Sequence, residues 1–332
     1  MNKPEPRDLE LIDRWQRDIP LVSRPYGAMG EALEMSEAEV LERLKRLQAK
    51  GIMTRVGAVV RPNTAGASTL AAMKVPPERL EEIAELINRE PGVNHNYERE
   101  HDFNLWFVVT QDSRPAVKAT LERLRRASGL DVLYLPLKAA YHIDLAFPVS
   151  GMRGLLRRDH GAGAASGRAD AADRRILGAI EDGLALEPQP FGPVAARLGM
   201  EEREILDRLG ALLDRGIVTR FGLVVRHRSL GYTANAMSVW NVDDSEVDEI
   251  GRYLARQPFV TLCYQRRRQD SWPYNLYCMI HGRERSTVSA QIAELNADPR
   301  MAGLAHQVLF SRRCFKQHGA RFGGGAKALS HA

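Results

Sequence analysis

The segment His95-Asn96-Tyr97-Glu98-Arg99 sets an imidazole, a phenol and a guanidinium at alternate positions. If the stretch is a strand, all three point to one side, because successive side chains of a strand alternate faces. His101 joins them only if the strand continues. A guanidinium fork pairs with a carboxylate through two parallel N–H donors, and an imidazole moves protons near neutral pH. Together they suit an anionic ligand that must be held and protonated.

Further cationic candidates recur at matched positions: Arg55 with Arg220, Arg61 with Arg226, Arg99 with Arg266, and Arg267 beside the last of these. A single arginine is as readily a solvated surface charge, so repetition carries the weight. His142, His227 and His281 are additional imidazoles, and Lys316 stands in the second half where His142 stands in the first. Tyr97 and Tyr264 could donate a proton or only pack. Trp106, Trp240, Trp272, Tyr232 and Tyr274 could line an apolar slot, although core packing explains aromatic residues equally well. HExxH, P-loop, GxGxxG and nucleophile-elbow motifs do not occur in the sequence, which argues against metalloprotease, nucleotide-dependent and serine-hydrolase chemistry.

The elements that must position these residues follow from an internal repeat. IPLVSRPYGAMGEALEMSEAEVLERLKRLQAKGIMTRVGAVVRP aligns without a gap to LALEPQPFGPVAARLGMEEREILDRLGALLDRGIVTRFGLVVRH at an offset of 165 residues, as from Pro25 to Pro190. The offset becomes 167 at Tyr97/Tyr264 and Arg99/Arg266, 171 at Asn104/Asn275 and 174 at Tyr141/Phe315. Each step is an insertion of the kind loops accept. A chain of 332 residues fits two such copies.

Each copy begins with an apolar-periodic helix, a Pro-Tyr/Phe-Gly turn and a short helix. A longer helix follows, from Ser36 or Glu201 to the Lys50-Gly51 or Arg215-Gly216 stop. That is a helix-turn-helix with the β-rich GIMTRVGAVV as its wing. The remaining pattern reads β-α-β-β-α-β, a ferredoxin-like half. The boundaries expected are residues 1–60 and 170–225 for the winged helices, 61–150 and 226–320 for the α+β halves, a Gly/Ala/Arg-rich linker over 151–169, and a disordered tail over 321–332. The fold class is α+β, with the copies pairing their sheets face to face as an intrachain pseudo-dimer.

Net charge of +5 and a pI near 9.2 imply an anionic partner, with nucleic acid and a polycarboxylate small molecule both open. Cys263, Cys278 and Cys314 form no CxxC pair and suggest neither a disulfide framework nor a thiolate metal site. The charged N-terminus and the lack of any apolar run of membrane-spanning length point to a cytoplasmic protein.

This arrangement resembles the Lrp/AsnC regulators. HNYER, NLWF, LGY, CYQR, PYNL and MIHG are similar, more specifically, to the siroheme decarboxylase branch of that superfamily. The resemblance implies an enzyme that removes two acetate carboxyls from siroheme, giving 12,18-didecarboxysiroheme on a route to a specialised haem. It implies no cofactor, since iron enters with the substrate and the macrocycle takes up the electrons. The catalytic set expected is His95, Tyr97, Arg99 and His101, with His95 or His101 as an axial ligand to substrate iron. Asn104, Trp106, Tyr141, His142 and Lys316 are expected at the substrate, with Arg55, Arg61, Arg220, Arg226 and His227. So are Tyr264, Arg266, Arg267, Tyr274 and Asn275. The partners expected are siroheme and its products, further homodimerisation and hand-over to other haem-biosynthesis proteins, without sequence-specific nucleic acid or a membrane.

The competing reading is a DNA-binding regulator, and a non-catalytic haem sensor is a third. The regulator reading is weakened by SEAEVLERLKRLQAK and MEEREILDRLGALLDR, because both candidate recognition helices open with acids that face phosphates poorly.

Overall fold

A computed structural model describes residues 4–143, 146, 147, 149 and 167–319. Copy one runs α1 (Pro6–Trp15), α2 (Pro25–Glu31), α3 (Glu37–Ala49), β1 (Met53–Val60), β2 (Ala67–Met73), α4 (Leu80–Arg89), β3 (Val93–Arg99), β4 (Leu105–Gln111), α5 (Arg114–Ser128) and β5 (Leu133–Ile143). Copy two repeats the order as α6 (Ala171–Ala179), α7 (Phe191–Leu198), α8 (Glu202–Asp214), β6 (Val218–Val225), β7 (Ala234–Trp240), α9 (Val247–Ala255), β8 (Val260–Arg266), β9 (Leu276–Gly282), α10 (Arg285–Ala297) and β10 (His306–Gln317). The expected winged helix followed by β-α-β-β-α-β is present twice. The tail from 321 and most of the linker lie outside the described residues. At the linker's end, Ala169 is buried and its N–H donates to Thr64 O, so residues 167–169 belong to folded structure.

The chain divides into two compact units that cut across the copies. One unit contains both winged helices. Ser36 caps α3 by accepting from Glu39 N–H, and Gly51 and Gly216 end α3 and α8 with φ of +66° and +65°. Val40, Leu44 and Leu47 of α3 pack inward, as do Ile205, Leu209 and Leu212 of α8. Buried Asp8 is held by Arg43 and Arg46, and its counterpart Asp173 by Arg208 and Arg215. The wings are not hairpins within each copy. Instead β1 pairs antiparallel with β6, and Gly57 lies opposite its own repeat partner Gly222. A Cβ on Gly222 would stand 2.1 Å from Gln16 O, so the wing requires glycine there.

The other unit is a closed eight-stranded barrel in the order β10-β3-β4-β2-β5-β8-β9-β7. Its copies are joined more closely than two sheets laid face to face. β5 pairs with β2 through Leu133–Pro136 and then with β8 through Leu137–Ile143. β10 likewise pairs with β7 and then with β3. Each copy's last strand thus leaves its own sheet and completes the other's, which removes the exposed edges. α4 and α5 cover one copy's outer face, α9 and α10 the other's, and a third core of Trp106, Leu135, Met237, Tyr277, Leu309 and neighbours lies inside. No described helix is long and apolar enough to cross a membrane.

Candidate active site

Strand alternation places His95, Tyr97 and Arg99 in one row of β3. The His95 and Tyr97 rings are nearly parallel with centroids 6.2 Å apart, and the Arg99 guanidinium lies 5.8 Å from the Tyr97 ring. His95 and Tyr97 are half-buried and Arg99 is buried. The row faces the barrel interior, because Arg99 donates from Nη1 to Leu309 O at 3.1 Å and from Nη2 to Met279 Sδ at 3.8 Å.

Copy two builds the matching row from Leu262, Tyr264 and Arg266 on β8. The Arg266 guanidinium lies 5.3 Å from the Tyr264 ring and donates to Leu135 O at 2.8 Å. Leu135 and Leu309 are repeat partners, so each arginine crosses to the other copy's last strand at the same place. Burial disfavours the charge of Arg266, and its Nε has no hydrogen-bond partner among the described residues. A carboxylate would supply what that donor lacks. Burial pushes the Tyr264 phenol up to about 12, and the nearby Arg266 charge opposes that rise.

His101 does not continue the row. β3 ends at Arg99, and His101 sits in the following loop, where its Nδ1 accepts from Phe103 N–H at 3.0 Å. Its ring meets Trp272 edge-on at 5.3 Å, within a cluster that also holds Phe103, Trp106 and Tyr274. Burial lowers its basicity, reinforced by the Lys74 charge and opposed by Asp102. Trp106 and Tyr274 therefore do join an aromatic group, at the hairpin-loop end of the barrel. Trp272 closes that group with its Nε1–H donated to Tyr277 Oη at 2.7 Å.

Several other expected site residues are committed elsewhere. The Asn104 carboxamide exchanges both hydrogen bonds with the backbone of Val75, and Asn275 does the same with Val242, which fixes the chain leaving β2 and β7. Tyr141 packs into the helix-backed core of copy two, fills the space a Cβ on Gly251 would need, and donates to Asp248 Oδ1 at 2.6 Å. Lys316 donates to Asn88 O and Glu90 O, satisfying carbonyls at the end of α4. His142 is half-buried opposite Cys263, and Arg267 is exposed after β8. Trp240, fully buried with its Nε1–H on Asn296, is core rather than slot.

Arg55, Arg61, Arg220, Arg226 and His227 belong to the winged-helix unit instead of the barrel unit. Arg55 and Arg220 turn onto Ala58 O and Leu223 O, another repeat-matched pair, and Arg61 donates to Gly216 O. Arg226 is exposed beside Gly51. His227 is buried against Phe147, and that burial, with the Arg228 charge, brings its pKa down to about 4. Arg55, Arg61 and Arg220 thus satisfy backbone carbonyls within the winged-helix unit.

Both halves match known family models. The siroheme decarboxylase NirDL-like HTH domain matches residues 8–53 and 173–218, and the AsnC-like ligand binding domain matches 65–142 and 229–316. The chain is 47% identical over 314 residues to the siroheme decarboxylase NirDL subunit of Paracoccus denitrificans, covering 94% of this chain and 96% of that one. The chain belongs to the siroheme decarboxylase family. Its fold is similar to the crystal structure of the siroheme decarboxylase NirDL, with TM-score 0.68, 30% identity, and 95% and 94% of the two chains covered. A second crystal structure of that enzyme, in complex with an iron-uroporphyrin III analogue, matches equally well over 95% of each chain.

In this siroheme decarboxylase the helices that would read DNA in a regulator are spent on ion pairs. Arg43 of α3 is bound by Glu39, Glu5 and Asp8, and Arg208 of α8 by Glu204, Asp170 and Asp173. Sequence reasoning singled out the β3 row but missed Met279 and Thr261. Met279 begins the MIHG segment and pairs with Leu262 across β8 and β9, and Thr261 donates to its carbonyl.

Proposed function

We propose that the chain converts siroheme to 12,18-didecarboxysiroheme and that the His95–Tyr97–Arg99 row carries the reaction. The observation behind this reading is the row itself: an imidazole at the half-buried end of β3, aligned through a phenol with a buried guanidinium. Arg99, with Arg266 opposite, orients substrate carboxylates, and the apolar side chains around them displace water from the reacting group. The bond from the acetate methylene to its carboxyl breaks, carbon dioxide leaves, and the electron pair is taken up by the macrocycle. His95 then delivers a proton to the methylene carbon, leaving a methyl group. Iron arrives with the substrate, and no separate cofactor is required. The relative crystallised with an iron-uroporphyrin III analogue supports a carboxylated iron tetrapyrrole as the ligand class. The enzyme works in the cytoplasm and hands its product to later haem-biosynthesis proteins.

Anaerobic incubation of the purified chain with siroheme, followed by mass analysis of the tetrapyrrole, tests the reading. Loss of two carboxyls is expected. Unchanged siroheme, bound or not, would overturn it in favour of a sensor.

A further inference from the structure

Ser311 stands on β10 opposite Arg99 in the strand register, at the point where β10 leaves β7 and begins to pair with β3. Leu309 belongs to the interior core and Phe310 to the helix-backed core of copy two, so alternation turns Ser311 inward, to the side where the Arg99 guanidinium bonds Leu309 O. The Ser311 hydroxyl oxygen is buried and has no hydrogen-bond partner among the described residues. A buried hydroxyl left so is costly, and one that shares a face with a guanidinium gains most from an anion that both can bind. The repeat supplies a contrast. The counterpart of Ser311 is Leu137, which stands opposite Arg266 and offers no side-chain donor. Copy one's arginine is thus joined by a hydroxyl where copy two's is joined by a methyl-bearing side chain.

The spacing of the β3 row selects the carboxylate. Its head groups stand 6.2 Å apart from His95 to Tyr97 and 5.8 Å apart from Tyr97 to Arg99, with the phenol between the imidazole and the guanidinium. In an acetate the carboxyl carbon is bonded to the methylene carbon that must be protonated, and a proton donor acts only within hydrogen-bond reach. A carboxylate held at Arg99 leaves its own methylene carbon beside Tyr97 or Arg99, away from His95. A propionate of the same macrocycle is one methylene longer and is retained in the reaction, so it can lie at Arg99 while an acetate lies at His95.

Resting on the decarboxylase reading, we infer that Ser311 is a specificity-determining residue: its hydroxyl donates to a substrate propionate that Arg99 also holds, and this two-donor clamp anchors the macrocycle with an acetate at His95. Leu137 denies the same grip beside Arg266, so the two arginines hold carboxylates unequally.

The test measures binding of two porphyrins to the full chain: iron-uroporphyrin III, and iron-coproporphyrin III, which keeps the propionates but carries methyl groups in place of the acetates. Ser311→Ala should weaken both by about tenfold, the loss typical of a hydrogen bond to a charged group. In an Arg99→Ala background the same change should cost less than about twofold, because residues that share one ligand group are coupled. Unaltered iron-coproporphyrin III binding in Ser311→Ala, or a full tenfold loss repeated in the Arg99→Ala background, overturns the inference. So does wild-type protein that binds iron-uroporphyrin III but not iron-coproporphyrin III. Should Ser311→Ala fail to fold, Ser311→Cys, close in size and a weak donor, takes its place in the same comparison. Failure of the function reading is separate, since it appears as wild-type protein that leaves siroheme intact, whereas the clamp is read by binding alone.

Discussion

Inside the barrel, β3 presents His95, Tyr97 and Arg99, and β8 presents Leu262, Tyr264 and Arg266. The two rows share everything that holds the barrel together. Both arginines reach across to a leucine carbonyl of the other copy's last strand, and both lie near a tyrosine ring. They differ at one position, where copy one has an imidazole and copy two a leucine. The same division holds elsewhere: Asn104 and Asn275 make identical backbone clasps, whereas copy two's four extra hairpin residues allow Trp272 to seal one end. Doubling a fold keeps the pairings that both halves need and frees single side chains to specialise.

The largest expected effect breaks the symmetry at its chemical position. His95→Ala should lower the single-turnover decarboxylation rate by about 100-fold, the contribution typical of a general acid, while Leu262→Ala leaves the rate per folded molecule nearly unchanged. Equal losses in the two variants would show that the rows are chemically equivalent.

A second contrast lies in the winged helices, where copy two has buried His227 and copy one has Pro62. Burial holds the folded pKa near 4, below the unfolded value of about 6.5. Between those values the unfolded chain binds a proton that the folded chain refuses, so stability falls as pH drops. Urea unfolding should show about 2 kcal/mol less stability at pH 5 than at pH 7 from this group, and His227→Gln should remove that part of the slope. An unchanged slope would mean His227 is protonated in the folded protein.

The arginines should separate by kinetic signature. Arg266→Ala is expected to raise KM about tenfold with little change in kcat, whereas Arg99→Ala, next in the row to the proton donor, should lower kcat as well. Arg→Lys should rescue neither fully, because a single ammonium replaces a planar fork. Identical kinetics for the two alanine variants would remove the distinction.

The smallest effect concerns the exchanged strands. Tyr141 of β5 is hydrogen-bonded inside copy two's core, whereas its repeat partner Phe315 packs against copy one's core without a hydroxyl. Tyr141→Phe should cost about 1 kcal/mol in thermal or urea unfolding and leave turnover untouched. A loss of activity at constant stability would return Tyr141 to the substrate.

Much of this was legible in the residue order. The gapless repeat, the helix stops at Gly51 and Gly216, the β-α-β-β-α-β pattern and the shared face of His95, Tyr97 and Arg99 are local properties, set by side-chain periodicity and backbone preference. Which arginines meet a ligand was not legible, because a guanidinium that clamps a carboxylate and one that satisfies a backbone carbonyl look alike in sequence. Arg55, Arg61 and Arg220 donate to carbonyls of the winged-helix unit, and Arg99 and Arg266 to carbonyls inside the barrel. The exit of β5 and β10 into each other's sheets, the placing of Tyr141 and Lys316 in the opposite copy, and the meeting of Thr261 with His281 depend on strand register over long separations. No local pattern encodes that register. It is decided where the sheets close and the interior packs, so tertiary structure alone determined which of the repeated residues became scaffold and which remained available for chemistry.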